Sequence, residues 1–472
     1  MDIIHQDIPG TRLSVLDVAL LALYALACLF IGIRASRKQH DEDFMIAGRH
    51  LNTWGFITSV VASYIGGAAI VAYTAYVYRF GISAIAVFLG TSLGFLLFIR
   101  YALKLRKTGE EQGFITLSDW FYHRFDKKTG LVSSLILFVV YFGMLLNQFI
   151  AGSSILSNIS GWSYEMSLFL SSIIISIYLF AGGFRSVIKT DIFQYIVLFV
   201  LFIFLGFILM GDKRDFAVEL MDFSRMDVGM TIAFVAFGVF IIFQSAEYWQ
   251  RVYAASNSRV IKRGFIGAAI LTVVTGMAIT IIGLASHHEL PEIMARNAFA
   301  EGLNLLLPDS YVGAGLVLIF AAIMSSADTQ IFVLSSSVSV DWMEKFSKKK
   351  LNPHQVMRRT RWLIIAFSAA GFAFAYFLRD LVAVIIFITG IGFTIIPAVI
   401  ASFHMKITPR SALWSFLAGS AYVVVLVVVA SFQPDSFEFF KNNAELAILS
   451  IVVSAATLFG IHFLKLTINN EQ

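Results

Sequence analysis

Apolar segments of membrane length recur from one end of this chain to the other, and that recurrence leaves few folds open. A helix needs about 20 mostly apolar residues to cross a hydrocarbon core of about 30 Å. About 13 such runs can be marked, at approximately 13–33, 53–79, 82–103, 131–158, 163–183, 187–211, 229–253, 262–285, 311–342, 360–379, 381–403, 409–431 and 443–466. In lipid every backbone polar group must bond within the protein, so runs of this length are expected to be helices. Composition agrees: 58% of the 472 residues are hydrophobic and 14% charged, against about a quarter charged in a soluble domain. The expected fold class is an all-α polytopic membrane protein with 13 transmembrane helices.

Charge then gives an orientation. Dividing the 35 Lys and Arg among alternate loops puts about 27 on one side and 8 on the other. The rich side holds Arg34, Arg37, Lys38, Arg49, Lys104, Arg106, Lys107 and the cluster Lys348 to Arg361. Cytoplasmic loops carry the excess of basic residues, so the N-terminus is expected outside and the C-terminus in the cytoplasm. This topology accounts for the net charge of +5 without a nucleic-acid partner. The single cysteine, Cys28, excludes a disulfide framework and a cysteine metal site. No signal peptide is visible in residues 1–12, and a plasma membrane, in bacteria the inner membrane, is the expected location.

The ninth run carries Ala322, Ser325, Ser326, Asp328 and Thr329 at mid-membrane depth. Polar residues there are expensive and mark functional sites by default. Ala322, Ser325, Ser326 and Thr329 share one helical face, with Asp328 beside it. Small residues, hydroxyl oxygens and an acid suit a small hard cation, which takes oxygen ligands. The same pattern also fits a seam where helices pack closely on Ala and Ser. The second run holds Ser63, Tyr64, Gly66 and Gly67, where paired glycines mark close packing or an unwound point. The seventh run is interrupted by Gln244, Ser245, Glu247, Gln250 and Arg251. Two interrupted helices at corresponding positions of two five-helix halves point to an inverted-repeat transporter site.

Other polar features have weaker readings. Asn147 and Gln148 in the fourth run could bridge helices. Asp191, beyond Gly182-Gly183, could pair with Lys189 or Arg185, or relay an ion. Leu117, Trp120, Phe121 and Phe125 predict an amphipathic helix on the inner surface, capped by Thr116 or Ser118. His287, His288, Glu289 and Glu292 lie in a loop and make a poor metal site. Gly390, Gly392 and Pro397 suggest a bend in the eleventh run. No phosphate-binding glycine loop, nucleophile triad or paired-carboxylate site occurs, so the chain is read as a transporter and not an enzyme.

Four stretches together resemble the sodium:solute symporter family, most closely its sodium/proline-symporter-like branch. They are Asp43 to Leu51, Gly182-Gly183 with Thr190-Asp191 and Gln194, Gln250-Arg251 with Ala254-Ala255, and Met324 to Asp328. The resemblance implies a leucine-transporter-like fold in one membrane domain. An extra helix and inner loop fill residues 1–50, inverted five-helix repeats fill 51–211 and 212–403, and two extra helices fill 404–472. It also implies sodium-coupled symport by alternating access, with no organic cofactor. Carried over, the sodium ligands are carbonyls of Ala62, Ile65 and Ala322 and hydroxyls of Ser325 and Ser326. A second ion or proton site falls on Asp191, Asp328 and Thr329, where Asp328 replaces a hydroxyl of the family pattern.

The solute should lie between the interrupted helices, near Ser63, Tyr64, Gly66, Gln148, Gln244 and Ser245. No Lys or Arg is expected at the middle of a core helix, so a half-helix N-terminus would receive a carboxylate. A small amino acid or monocarboxylate is favoured over a sugar. A solute sensor on the same fold, a sugar symporter and proton coupling are the alternatives.

Overall fold

The computed structural model describes residues 14–37, 40–211, 218–306, 312–348, 351–378, 390–432 and 444–470. Arg12, Lys38, Lys213, Arg214, Lys349, Lys350, Arg379 and Lys441 of the charge count, and the first part of the 381–403 run, lie outside them. Among the described residues the chain is helical, and its one pairing of extended backbone is a bridge between Leu51 and Ala255.

Helix α1 spans Val15–Ala35 and opens on a capping box between Ser14 and Asp17. α2 (Thr53–Tyr64) and α3 (Gly67–Phe80) are separated at Ile65 and Gly66. α4 (Ala86–Gln112), α5 (Leu117–Arg124), α6 (Lys127–Ser160) and α7 (Tyr164–Gly211) complete the first half. α8 (Val228–Gln244) and α9 (Ala246–Ala254) are bent by 51° at Ser245. α10 (Ser258–Glu289), the short α11 (Ala298–Leu306), α12 (Val312–Ser337) and α13 (Pro353–Phe377) follow. α12 runs on into a π-helical segment, Val338–Glu344. The 3-10 segment Gly390–Ile395 leads into α14 (Ile396–His404), and α15 (Pro409–Ser431) and α16 (Ser450–Asn470) close the chain.

Nine described helices are long and apolar enough to cross a membrane, or ten if α8 and α9 form one bent span. The break expected between the fifth and sixth runs falls at Gly183, where two helical stretches of α7 meet across a kink. Gly183 has φ 54° and ψ −141° inside α7, a conformation closed to side chains with a Cβ. A Cβ there would also lie 2.7 Å from the Phe44 ring and carbonyl oxygen. Glycine therefore both turns the backbone and admits the loop that carries Phe44.

Burial identifies the centre of the bundle. The spanning window of α12 is 94% buried, against 28% for α1, α13 and α15. A helix enclosed on all faces needs no apolar stripe toward lipid, which explains how it can carry so many hydroxyls. α5 also differs from expectation. It forms, with a Thr116–Asp119 capping box, but its aromatic face is buried in protein rather than laid on a membrane surface. Trp120 stacks on Phe403 at 4.5 Å and donates to Ser402 Oγ at 2.9 Å, and Phe121 meets Phe416 edge-on.

Candidate functional site

The break between α2 and α3 exposes carbonyls that a continuous helix would use. Ile65 (φ −89°, ψ 64°) leaves the helix, although its N–H still donates to Val61 O at 2.9 Å. Carbonyls one step further, at Ala62 and Ser63, then lack a partner four residues on. Side chains of α12 reach them. Ser325 Oγ donates to Ala62 O and to Ala322 O, both at 3.1 Å, and Ser326 Oγ donates to Ser63 O at 3.3 Å. Oxygens around a cation of calcium-like radius, bound at about 2.4 Å, stand roughly this far apart. Ala62, Ala322, Ser325 and Ser326 are thus brought together, and Ile65 is fully buried at the break beside them. The arrangement can hold a small cation by exchanging hydroxyl hydrogen bonds for ion–oxygen contacts.

On the other side of the break, α3 begins with free N–H groups. Ala68 N donates to Gln148 Oε1 at 3.1 Å, so the amide of α6 caps this half-helix. A Cβ at Gly66 would lie 2.3 Å from Ser326 Oγ and 2.5 Å from Gln148 Nε2. Only glycine lets α12 and α6 approach the break together.

The second break, at Ser245 (φ −77°, ψ 105°), is stabilised differently. Ser245 Oγ bonds back to Ile241 O at 2.7 Å, and the Trp249 indole donates to Phe243 O at 3.1 Å. Glu247, in the first turn of α9, takes a hydrogen bond from Tyr141 OH of α6. Gln244 Oε1 is buried without a hydrogen-bond partner, beside Gly392.

Four helices meet at Arg251, which is fully buried on α9. Its Nε donates to Ser59 Oγ at 2.7 Å and its Nη1 to Glu247 O at 3.1 Å. Its Nη2 reaches Ser63 Oγ at 2.6 Å, Asp191 Oδ2 at 2.9 Å and Thr329 Oγ1 at 3.2 Å. Ser59 Oγ in turn donates to Asp191 Oδ2 at 2.5 Å. The residues expected to pair with Asp191 do not: Arg185 turns to Asp43 at 3.4 Å instead. Asp328 lies in a separate nest, where Tyr178 OH donates to its Oδ2 at 2.6 Å and Thr190 Oγ1 lies at 3.4 Å.

Of the residues expected around the solute, Gly66 and Gln148 are adjacent, Gln244 and Ser245 sit at the second break, and Ser63 faces Arg251. Tyr64 turns away into an aromatic cluster, bonded to Thr91 at 2.6 Å and to Tyr73 at 2.7 Å. Arg251 is what sequence reasoning missed. The sequence places it in the polar interruption of the seventh run but assigns it no partner; a basic residue inside an apolar run, with the acid Asp191 in another, is the available signal. Among the described residues no group of three or more His, Cys, Asp or Glu could hold a metal.

The four stretches that carried the family resemblance are neighbours in space. Leu51 N donates to Ala254 O at 3.0 Å and Ser256 N to Leu51 O at 3.1 Å. Arg49 Nη1 donates to Tyr253 O at 3.2 Å, Phe44 packs on Gly183, and Arg251 joins Asp191 to Thr329. Two interrupted helices laced together beside a buried polar helix define a membrane transporter. Residues 44–419 match the sequence profile of the sodium:solute symporter family, and the chain belongs to that family. It is a sodium-coupled solute transporter, not an enzyme.

The relatives agree over most of the chain. It is 24% identical over 476 residues to the osmoregulated proline transporter OpuE of Bacillus subtilis, covering 94% of this chain and 96% of that one. It is 25% identical to a sodium/proline symporter of Staphylococcus aureus, covering 88% and 86%. The fold matches a substrate-bound, outward-open Na+-coupled sialic acid symporter with a TM-score of 0.79 at 18% identity, over 94% of this chain and 97% of that chain.

Proposed function

We propose that the chain carries a small amino acid, with proline the first candidate, together with sodium bound between α2 and α12. The observation that carries this reading is the pairing of Ser325 and Ser326 with the carbonyls freed at the α2–α3 break. The ligands are Ala62, Ile65, Ala322, Ser325 and Ser326. The solute lies against Gly66 and Gln148, with Gln244 and Ser245 across from them. Its carboxylate faces the start of α3, where free N–H groups and the helix dipole favour an anion. The proline transporters among the relatives support the amino-acid class. Uptake of a solute panel into proteoliposomes, with and without an inward sodium gradient, tests it. Sodium-driven uptake of proline or another small amino acid is the expected result, and its absence across all amino acids defeats the reading.

We read the cluster around Arg251, Asp191 and Thr329 as a gate held by a resident cation, the guanidinium. Arg251 supplies the positive charge that Asp191 needs, so one sodium is coupled per cycle and the Hill coefficient is near 1. A second reading keeps a further ion, because Asp191 Oδ1 and Asp328 Oδ1 are both buried without a partner. A Hill coefficient approaching 2 that Asp328→Asn lowers to 1 would favour it.

The 13-span layout draws support from lengths. α7 has 48 residues, about 72 Å of helix, more than twice a hydrocarbon core. Its halves around Gly183 serve as spans five and six, so that 51–211 and 212–403 form inverted repeats. The N-terminus lies outside and the inner ends of α2 and α9 face the cytoplasm. In a Cys28→Ala background, Ser347→Cys should react with membrane-impermeant thiol reagents only from the cytoplasmic side, and Asn297→Cys only from outside; the opposite pattern reverses the orientation.

A further inference from the structure

A groove of about 1160 Å³, counting the space at its open mouth, lies between the π-helical end of α12 and the start of α13. It is unlike the transport site in place and chemistry. Its apolar wall is made by Trp342, Phe346 and Trp362, and its charged edge by Arg358 and Arg359. Trp362 is 63% exposed and Phe346 48% exposed. Neither arginine has an ion pair or hydrogen bond among the described residues, whereas Arg361 beside them bonds Ala181 O and lies over the Phe44 ring.

The position of the groove narrows its occupant. α13 is a spanning helix that starts at Pro353, so Arg358 and Arg359 lie one to two turns inside its end. That is headgroup depth, where Trp side chains also concentrate. Two unpartnered guanidiniums lining one groove present the forked donors that grip a phosphate. Trp342 is fixed in place by donating to Ser134 Oγ at 2.9 Å, so the floor is rigid. Lys127 Nζ lies 4.2 Å from the centre of the Phe346 ring and adds positive charge beside that wall of the groove. Aromatic faces beneath a pair of arginines suit acyl chains beneath a phosphate.

We propose that this groove binds an anionic phospholipid, with its headgroup phosphate on Arg358 and Arg359 and its acyl chains against Trp342, Phe346 and Trp362. The π-helical turn links it to the bundle. Trp342 faces the groove, while its neighbour Asp341 turns inward to accept from Thr116 Oγ1 at 2.7 Å and Ser337 Oγ at 2.6 Å. A bound lipid therefore braces the same turn that ties α12 to α5.

Native mass spectrometry of the purified, detergent-solubilised full chain, titrated with phosphatidylglycerol and with phosphatidylcholine, tests the proposal. Phosphatidylglycerol should bind at one preferred site, more tightly than phosphatidylcholine. The double variant Arg358→Gln/Arg359→Gln should lose about 30-fold of that affinity, roughly fivefold per basic residue. Arg358→Lys/Arg359→Lys should retain an intermediate preference, which separates loss of charge from misfolding. Trp362→Ala should weaken both lipids. Equal binding of the two lipids overturns the proposal. So does a preference unchanged in the Gln variant, or displacement of phosphatidylglycerol by equimolar inorganic phosphate.

Discussion

The two polar clusters between α2 and α12 lie about one helical turn apart and are solved in opposite ways. The upper one, around Ala62, Ala322, Ser325 and Ser326, contains oxygen atoms and no formal charge. The lower one, around Ser59, Ser63, Asp191 and Thr329, encloses a full ion pair with Arg251. Neutral hydroxyl–carbonyl bonds are modest in net energy and easily exchanged for ion contacts. A buried guanidinium with five acceptors is not readily exchanged, because removing either charge strands the other. On the proposed function, the upper cluster is the place filled and emptied, and the lower one holds the helices together.

The comparison is broken most sharply at Arg251. Arg251→Gln should destabilise the protein by about 3–5 kcal/mol, since it leaves Asp191 buried and uncompensated. Combining it with Asp191→Asn should recover part of that loss. Both are read as thermal midpoint and membrane abundance. A double variant no more stable than the single one would mean that the pair does not compensate itself.

Smaller effects are expected in the upper cluster, and there they concern the ion and not the fold. Ser325→Ala and Ser326→Ala should each weaken sodium by about 1–3 kcal/mol, roughly 5- to 150-fold. The sodium concentration giving half-maximal uptake measures this, and an unchanged value in both variants would place the ion elsewhere. Gln148→Ala sharpens the contrast further. It removes the acceptor for Ala68 N and should weaken the solute by about 0.5–1.5 kcal/mol, roughly 2- to 13-fold. Solute affinity measured at saturating sodium shows whether the cost falls on the solute, as expected, or on the cation.

Much of this was legible in the residue order. Gly66-Gly67 marked the second span as a place of close packing or unwinding, because paired glycines do not strengthen a helix; the structure shows both there. The hydroxyl face of α12 followed from spacing, and the second break from polar residues inside an apolar run. Partner choice was not legible. Asp191 had Lys189 and Arg185 close in sequence, yet its partner lies 60 residues away. Tyr64 looked like a pocket residue from its place beside Gly66, but helical rotation aims it at Thr91.

Sequence by itself determined what depends on local composition and period: the solvent each segment prefers, the helical state and the points of interruption. Hydrophobic length and glycine placement act within a few residues and can be read there. Only the tertiary structure decided which buried charge meets which, that Gly183 packs against Phe44, and that the aromatic face of α5 is covered by protein. Those outcomes depend on how whole helices are placed, and a charge or ring in the core must take whatever partner that placement brings within reach.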